Sequence, residues 1–487
     1  MALPLREPNL NHAAHWIGGS WVRAEGVREI ALVNPATEEV RRPLPVARDK
    51  VVAAAVAAAV EARAGWAEAD PRDRVPHLER LIDAIDRRHE RFAELISDEI
   101  GAPIDFARKH QVAAALGHLK ATKTAALADR PDAPVSPDRP EHRLRYEPIG
   151  VAGLITPWNW PLNQIALKVG GALIAGCPMV LKPSEFAHRT AMLFAHCVIE
   201  AGVPPGAFNL VLGDGETGAA LANDPRVDAV SFTGSTGAGR AVARAAAERF
   251  ARVTLELGGK SPNLLFADCR LETAVRQGLA HCFRNAGQSC NAASRMLVER
   301  PVYEQTITLA AEIAEATPVG LPAEPGPHLG PQVNRRQWDR VQDLIEAAQW
   351  EGARLIAGGP GRPAGTTRGY FSRPTVFADV TPEMRLFREE VFGPVLAITP
   401  FDTEEEALRL ANDTGYGLAA FVQTGDPARA DRMARGLSAG MIQVNGRSRA
   451  QGAPFGGVKN SGIGREAGLW GIRAFQEIKS ISGAATI

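Results

Sequence analysis

Only five of the 487 residues are cysteine and four are tyrosine, and aromatic residues make up 6% of the chain. Cys177, Cys197, Cys269, Cys282 and Cys290 form an odd set without a C-x-x-C pair. In a chain too large to need covalent staples, that excludes a disulfide scaffold and a zinc cluster and predicts free thiols. No tyrosine is followed by lysine four residues later, and neither H-E-x-x-H nor G-x-S-x-G occurs, which removes several hydrolytic and redox chemistries. An excess of one charge is also missing: 55 Lys and Arg balance 55 Asp and Glu, so nothing points to nucleic acid. The longest nearly apolar run, residues 169–181, is broken by glycines and Pro178 and is too short to span a bilayer, so no membrane segment is expected. The opening twenty residues lack a basic start, an apolar run and a small-residue cleavage site, which predicts a cytoplasmic protein.

What is present is the profile of a globular protein, with 45% apolar and 23% charged residues. At ~100–200 residues per domain the length predicts two or more domains. The first quarter reads as helical, with Asp49 expected to cap an Ala-rich helix and Gly101 expected to stop a later one. Residues 131–148 carry five prolines, which suits edge strands or an extended arm. After them, short apolar runs ("GVAGLIT", "PMVLKPS", "FNLVLG", "VDAVSFTG", "ARVTLELGG") alternate with helix-like segments, the signature of a parallel sheet with crossover helices. A dinucleotide-binding domain is therefore expected from about Gly150 to Glu256, with a second α/β domain from Leu271 onward.

Several junctions carry candidate chemistry. "GDGETG" (213–218) matches G-x-G-x-x-G between a strand and a helix, but "FTGSTGAGR" at the next junction competes with it: Gly234 admits a phosphate, Ser235 can donate to it, and Gly239 allows close packing. "LKPSE" sets Lys182 and Glu185 where a ribose would lie, and a carboxylate there disfavours a 2'-phosphate, so NAD is expected over NADP. "LELGGKSP" imitates the close of a P-loop, but Thr254 occupies the required first glycine. "TPWNWP" places the Asn159 amide at a strand end, where it can hold an oxyanion. In "NAGQSCNAASR" (285–295), Cys290 sits among small polar residues, whereas a free cysteine is more often a buried apolar group.

Together "ITPWNWP", "LKPSE", "FTGSTGAG", "LELGGKSP", "NAGQSC", "EEVFGPV" and "PFGGVKNSGIGRE" resemble, in order and spacing, the NAD(P)-dependent aldehyde dehydrogenase superfamily, over nearly the whole chain. The resemblance implies an α/β aldehyde dehydrogenase-like fold. It divides the chain into a Rossmann-type NAD-binding domain (1–123 and 147–256), a catalytic domain (257–457) and a β oligomerisation arm (124–146 and 468–487). It implies that Cys290 attacks the aldehyde, that Asn159 and the Cys290 N–H hold the oxyanion, that Glu256 activates the hydrolytic water, and that Lys168 and Glu466 relay protons. Coenzyme contacts are implied for Ile155, Thr156, Pro157, Trp158, Lys182, Ser184, Glu185, Phe232, Thr233, Gly234, Ser235, Gly239, Leu257, Gly258, Glu390 and Phe392, with Gly215 and Gly218 peripheral. No metal is implied, and a homodimer or homotetramer is. Two alternatives are a CoA-acylating relative, which lacks the equivalent of Glu256, and a non-catalytic protein of the same fold, which would have lost Cys290, Glu256 or Asn159. Arg447 and Arg449, in the loop before "PFGG", could recruit a carboxylated aldehyde.

Overall fold

The computed structural model describes residues 9–10, 12–23 and 28–483; the start of the stretch searched for a leader and the far end of the expected arm lie outside them. Helices fill the first quarter, but two expectations there change. Asp49 is the first helical residue of Asp49–Ala67, and Arg48 occupies the cap without a side-chain bond. The amphipathic run after it breaks at Arg87 and Arg88 into Val75–Asp86 and His89–Ile100, the second ending on Gly101 at φ 77°, a conformation that costs glycine little.

The five apolar runs form parallel strands, Ala152–Ile155, Met179–Lys182, Phe208–Leu210, Ala229–Thr233 and Arg252–Glu256. Their order in the sheet is fifth, fourth, first, second, third. Antiparallel additions, Gly462–Ile463 beside Arg252–Glu256 and the pair His15–Ile17 and Ser20–Val22 beside Phe208–Leu210, extend it to eight strands. The order reverses between Ala152–Ile155 and Ala229–Thr233, so the crossover helices leave on opposite faces and open a crevice beyond those two strand ends. That crevice is where the site lies.

From Glu256 the chain passes through residues 257–261 into a seven-stranded sheet built on Pro262–Leu265, with Arg295–Glu299 on one side and Ala419–Gln423 on the other. All its pairings are parallel except Arg354–Ala357 against Thr375–Ala378. Its apolar core is continuous under both faces. The proline-rich segment forms Asp132–Ser136 and Arg139–Pro148, and Gln476–Ser482 pairs along the second of these to complete a three-stranded antiparallel sheet. Pro134 lies in the outer strand and Pro140 and Pro148 near the ends of the middle one, where a missing N–H costs least. Among the described residues, no helix is long and apolar enough to cross a membrane.

Candidate active site

A cavity of about 1070 Å³ opens at the strand-order reversal, with Pro157, Trp158 and Asn159 on one wall and Thr233, Gly234 and Ser235 on the other. Glu256, Gly258 and Cys290 lie at its inner end, with Glu390 and Phe392 opposite.

Ser235 caps the helix Thr236–Ala247, accepting from Ala238 N. Thr236 and Gly237 also line the cavity, so the first turn of that helix presents backbone N–H groups to it. The competing "GDGETG" junction differs: Asp214 accepts from Glu216 N and Thr217 N and pairs with Arg28, so that helix start already holds its own anion. Gly215 and Gly218 accordingly lie outside the cavity wall, although a side chain at Gly218 would touch Lys182 and Ile155. Lys182, Ser184 and Glu185 follow the neighbouring strand; Lys182 is buried beside Glu185 and Asp214, and Ser184 Oγ donates to Glu185 at 3.2 Å. Ile155, Phe232 and Leu257 pack in the apolar core beneath the cavity, and a Cβ at Gly239 would fall 2.5 Å from Leu257. Thr156 is buried with an unpaired hydroxyl.

Cys290 follows three left-handed residues, Asn285 (φ 56°), Ala286 (φ 54°) and Gly287 (φ 73°). Strained backbone of this kind persists only where its surroundings fix it. Here a ring of amides does so: Asn285 Nδ2 and Gln111 Nε2 donate to Asn159 O at 2.9 and 3.0 Å, and Gln288 Nε2 donates to Asn285 O at 3.0 Å. Asn159 Nδ2 donates to Gln288 O at 3.1 Å, which fixes the amide plane and leaves its second N–H for another acceptor. Trp160 Nε1 bonds Ser289 Oγ at 3.0 Å, one residue before the thiol.

Glu256, buried at the end of its strand, faces Cys290, and no other described donor meets its carboxylate. Burial raises its pKa to about 8, and burial together with the adjacent Glu256 pushes the Cys290 thiol well above its usual value. Two acids that both resist ionisation therefore share one dry end of the cavity. Lys168 and Glu466 form a buried pair beside it, Nζ to Oε1 2.5 Å, with Ser231 Oγ bonded to both at 2.9 and 3.2 Å. They do not line the cavity but act electrostatically on Glu256, Glu466 raising its pKa and Lys168 lowering it. Glu390 Oε1 accepts from Gly259 N at 3.1 Å, and burial lifts its pKa to about 7. A side chain at Gly258 would strike that carboxylate at 2.2 Å. Phe392 holds φ 58° and sets its ring edge-on to Trp158, centroids 5.5 Å apart.

Sequence reasoning missed the wall contributed by the start of the helix Arg335–Trp350, capped by Asn334. Gln337 Nε2 donates to Val391 O and Phe392 O, and Arg340 to Glu390 O, so this helix holds the Glu390–Phe392 turn in place. The capping pattern N-x-x-Q in "NRRQ" was the available signal. The two loop arginines take different surroundings. Arg447 is exposed, and Arg449 is turned onto the Phe455 ring, 5.2 Å from its centroid, and bonds Ala453 O.

A sequence profile described as the aldehyde dehydrogenase family matches residues 21–481. The chain belongs to that family. A 3-succinoylsemialdehyde-pyridine dehydrogenase from Pseudomonas sp. is 46% identical over 96% of this chain and 98% of its own length. A crystal structure of an aldehyde dehydrogenase from Bartonella henselae, 45% identical, superposes with a TM-score of 0.95 over 97% of this chain and 99% of that one. Aldehyde dehydrogenase C from Pseudomonas syringae, solved as a variant with NAD+ and octanal, is 44% identical with a TM-score of 0.95 over 99% of each chain. The fold and family expected from the motifs are thus those of an aldehyde dehydrogenase.

Proposed function

We propose that the protein oxidises an aldehyde to its carboxylic acid with NAD, through a thioester on Cys290. The observation that carries this reading is the shared inner end of one cavity, where a thiol, a carboxylate without a partner of its own and a fixed amide converge at the mouth of a nucleotide-type crevice. The cavity suits a pyrophosphate at the open first turn after Ser235 and the nicotinamide ribose at Glu390 and Phe392, while Glu185 and Lys182, at the end of the neighbouring strand and outside the cavity wall, would take the adenosine ribose. When bound there, NAD supplies a hydride acceptor.

Glu256 takes the thiol proton, and the Cys290 sulfur bonds to the aldehyde carbon. The oxyanion that forms is held by the free Asn159 N–H and by the Cys290 backbone N–H. Loss of hydride from that carbon leaves a thioester on Cys290. Glu256 then removes a proton from water, which attacks the thioester, expels the thiol and releases the acid. In this reading the buried Lys168–Glu466 pair with Ser231, which acts electrostatically on Glu256, receives the proton that Glu256 takes up. Retention of Glu256 favours water over coenzyme A as the acceptor.

Residues 1–123 with 147–256 make the coenzyme half and residues 257–457 the catalytic half in this reading. The three-stranded sheet of Asp132–Ser136, Arg139–Pro148 and Gln476–Ser482 serves a dimer or a tetramer. Cysteines held outside any disulfide suit a reducing, cytoplasmic setting.

Two measurements follow. Asn159→Ala removes a pre-aimed donor and lowers kcat by about 10²- to 10³-fold with little change in NAD affinity. Because Glu256 works as a base only when ionised, and its pKa is raised to about 8, a hydrolysis-limited kcat falls about tenfold for each pH unit below that value and levels off above it. A flat profile from weakly acidic to alkaline pH contradicts the assignment.

A further inference from the structure

The helical segments Ile104–Phe106 and Ala113–Ala128 are joined by a π-helical turn, Ala107–Val112, wider than an α-helical turn and out of its regular spacing. Turns of this kind recur at functional sites. This one is pressed against the segment that carries Asn159: the Phe106 ring lies 5.4 Å from that of Trp160 and 5.0 Å from that of His110. From the buried side of the turn, Gln111 reaches Asn159 itself.

Asn159 lies in the connection between the strand Ala152–Ile155 and the helix Pro161–Ala175 and belongs to neither. Two side chains take over its backbone carbonyl: Gln111 Nε2 donates at 3.0 Å from the helical first quarter, and Asn285 Nδ2 at 2.9 Å from the nucleophile's own loop. The Asn159 side-chain Nδ2 donates in turn to Gln288 O at 3.1 Å. Separate parts of the chain thus fix one peptide, and with it the direction of the amide N–H that remains.

Packing alone does not call for an amide at position 111. Gln111 Oε1 is buried without a partner among the described residues, and so is Asn159 Oδ1. A buried acceptor left unsatisfied costs stability, so an apolar side chain of similar length would serve the fold better. Asn159 O would still keep Asn285 as its donor. What the Gln111 amide adds is direction.

We infer that Gln111 is a positioning residue of the oxyanion site: it lies outside the cavity wall and acts on the reacting carbon only by holding the Asn159 peptide. With one of two donors gone that peptide tilts, and a donor aimed slightly wide no longer meets the oxyanion at bonding distance. The inference rests on the reading of Asn159 as the oxyanion donor and adds the residue that aims it.

The test is a double-mutant cycle on Gln111→Met and Asn159→Ala, read by steady-state kcat, the rate of the first equivalent of NADH, an NAD titration and the midpoint of thermal unfolding. Gln111→Leu is measured beside Gln111→Met, so that a packing fault in one is not read as the lost bond. Either replacement lowers kcat and the rate of the first NADH equivalent by about tenfold or more, with NAD affinity within about threefold of the wild type. The unfolding midpoint stays within about 3 °C of the wild type or rises. In the Asn159→Ala background the same replacement costs less than about threefold further, because its only route to the reacting carbon is already gone. Three results overturn the inference: turnover within about threefold of the wild type in both single variants, a further loss above about threefold in the double variant, or a midpoint lowered by more than about 3 °C in both single variants. Unimpaired turnover of Asn159→Ala counts instead against the proposed oxyanion site, and a wild type that reduces no NAD with any aldehyde counts against the proposed function.

Discussion

Cys290→Ala abolishes aldehyde oxidation, lowering kcat by on the order of 10⁴-fold or more, while NAD still binds with an affinity within about threefold of the wild type. The size of the loss follows from the chemistry: without sulfur there is no thiohemiacetal, and among the described residues no second thiol lines the cavity. The sparing of nucleotide binding follows from the fold. Thr233, Gly234 and Ser235 are set by a parallel strand and the helix after it, and neither depends on the Cys290 side chain. Kinetics on a panel of aldehydes, with a fluorescence titration of NAD, reads both halves. A variant that keeps more than a few per cent of turnover puts the nucleophile elsewhere.

Glu256→Gln separates the two half-reactions. The amide keeps the shape but cannot take a proton from water, so a first equivalent of NADH forms and steady-state turnover then falls by about 10²- to 10⁴-fold. The burst itself is slower than in the wild type, because Glu256 also takes the thiol proton and burial alone still holds that thiol above its ordinary pKa. Rapid-mixing absorbance of reduced nicotinamide resolves the burst from the plateau. Unimpaired steady-state turnover of the variant removes Glu256 as the base, and wild-type turnover that requires coenzyme A and yields an acyl-CoA points instead to the acylating chemistry.

Much of this was legible in the sequence because of how the chain builds its sheets. Strands buried on both faces read as short continuous apolar runs, and crossover helices must separate them, so "GVAGLIT" through "ARVTLELGG" announced five parallel strands. Spacing could not give the strand order, and it is the order that locates the crevice. Two glycine-rich turns looked alike in letters; they differ because Asp214 and Arg28, far apart in the chain, meet and close one of them. The wall from Asn334 to Arg340 was invisible for the same reason, since it reaches Glu390 and Phe392 through tertiary contacts alone. Asp49 illustrates a smaller limit: an acidic residue suits a cap and a first turn equally well, and only the backbone angles at Arg48 separate them. For the loop arginines, the letters placed charge near the site without the direction of the side chains, and Arg449 points to Phe455.

The most direct test of the thioester is intact and peptide mass analysis of Glu256→Gln mixed with an oxidisable aldehyde and NAD, quenched in acid after the burst. The account predicts one acyl group per active chain, located on the peptide containing Cys290, in proportion to the NADH formed and removable by hydroxylamine. NADH without an adduct, or an adduct on Cys269 or Cys282 in place of Cys290, contradicts it.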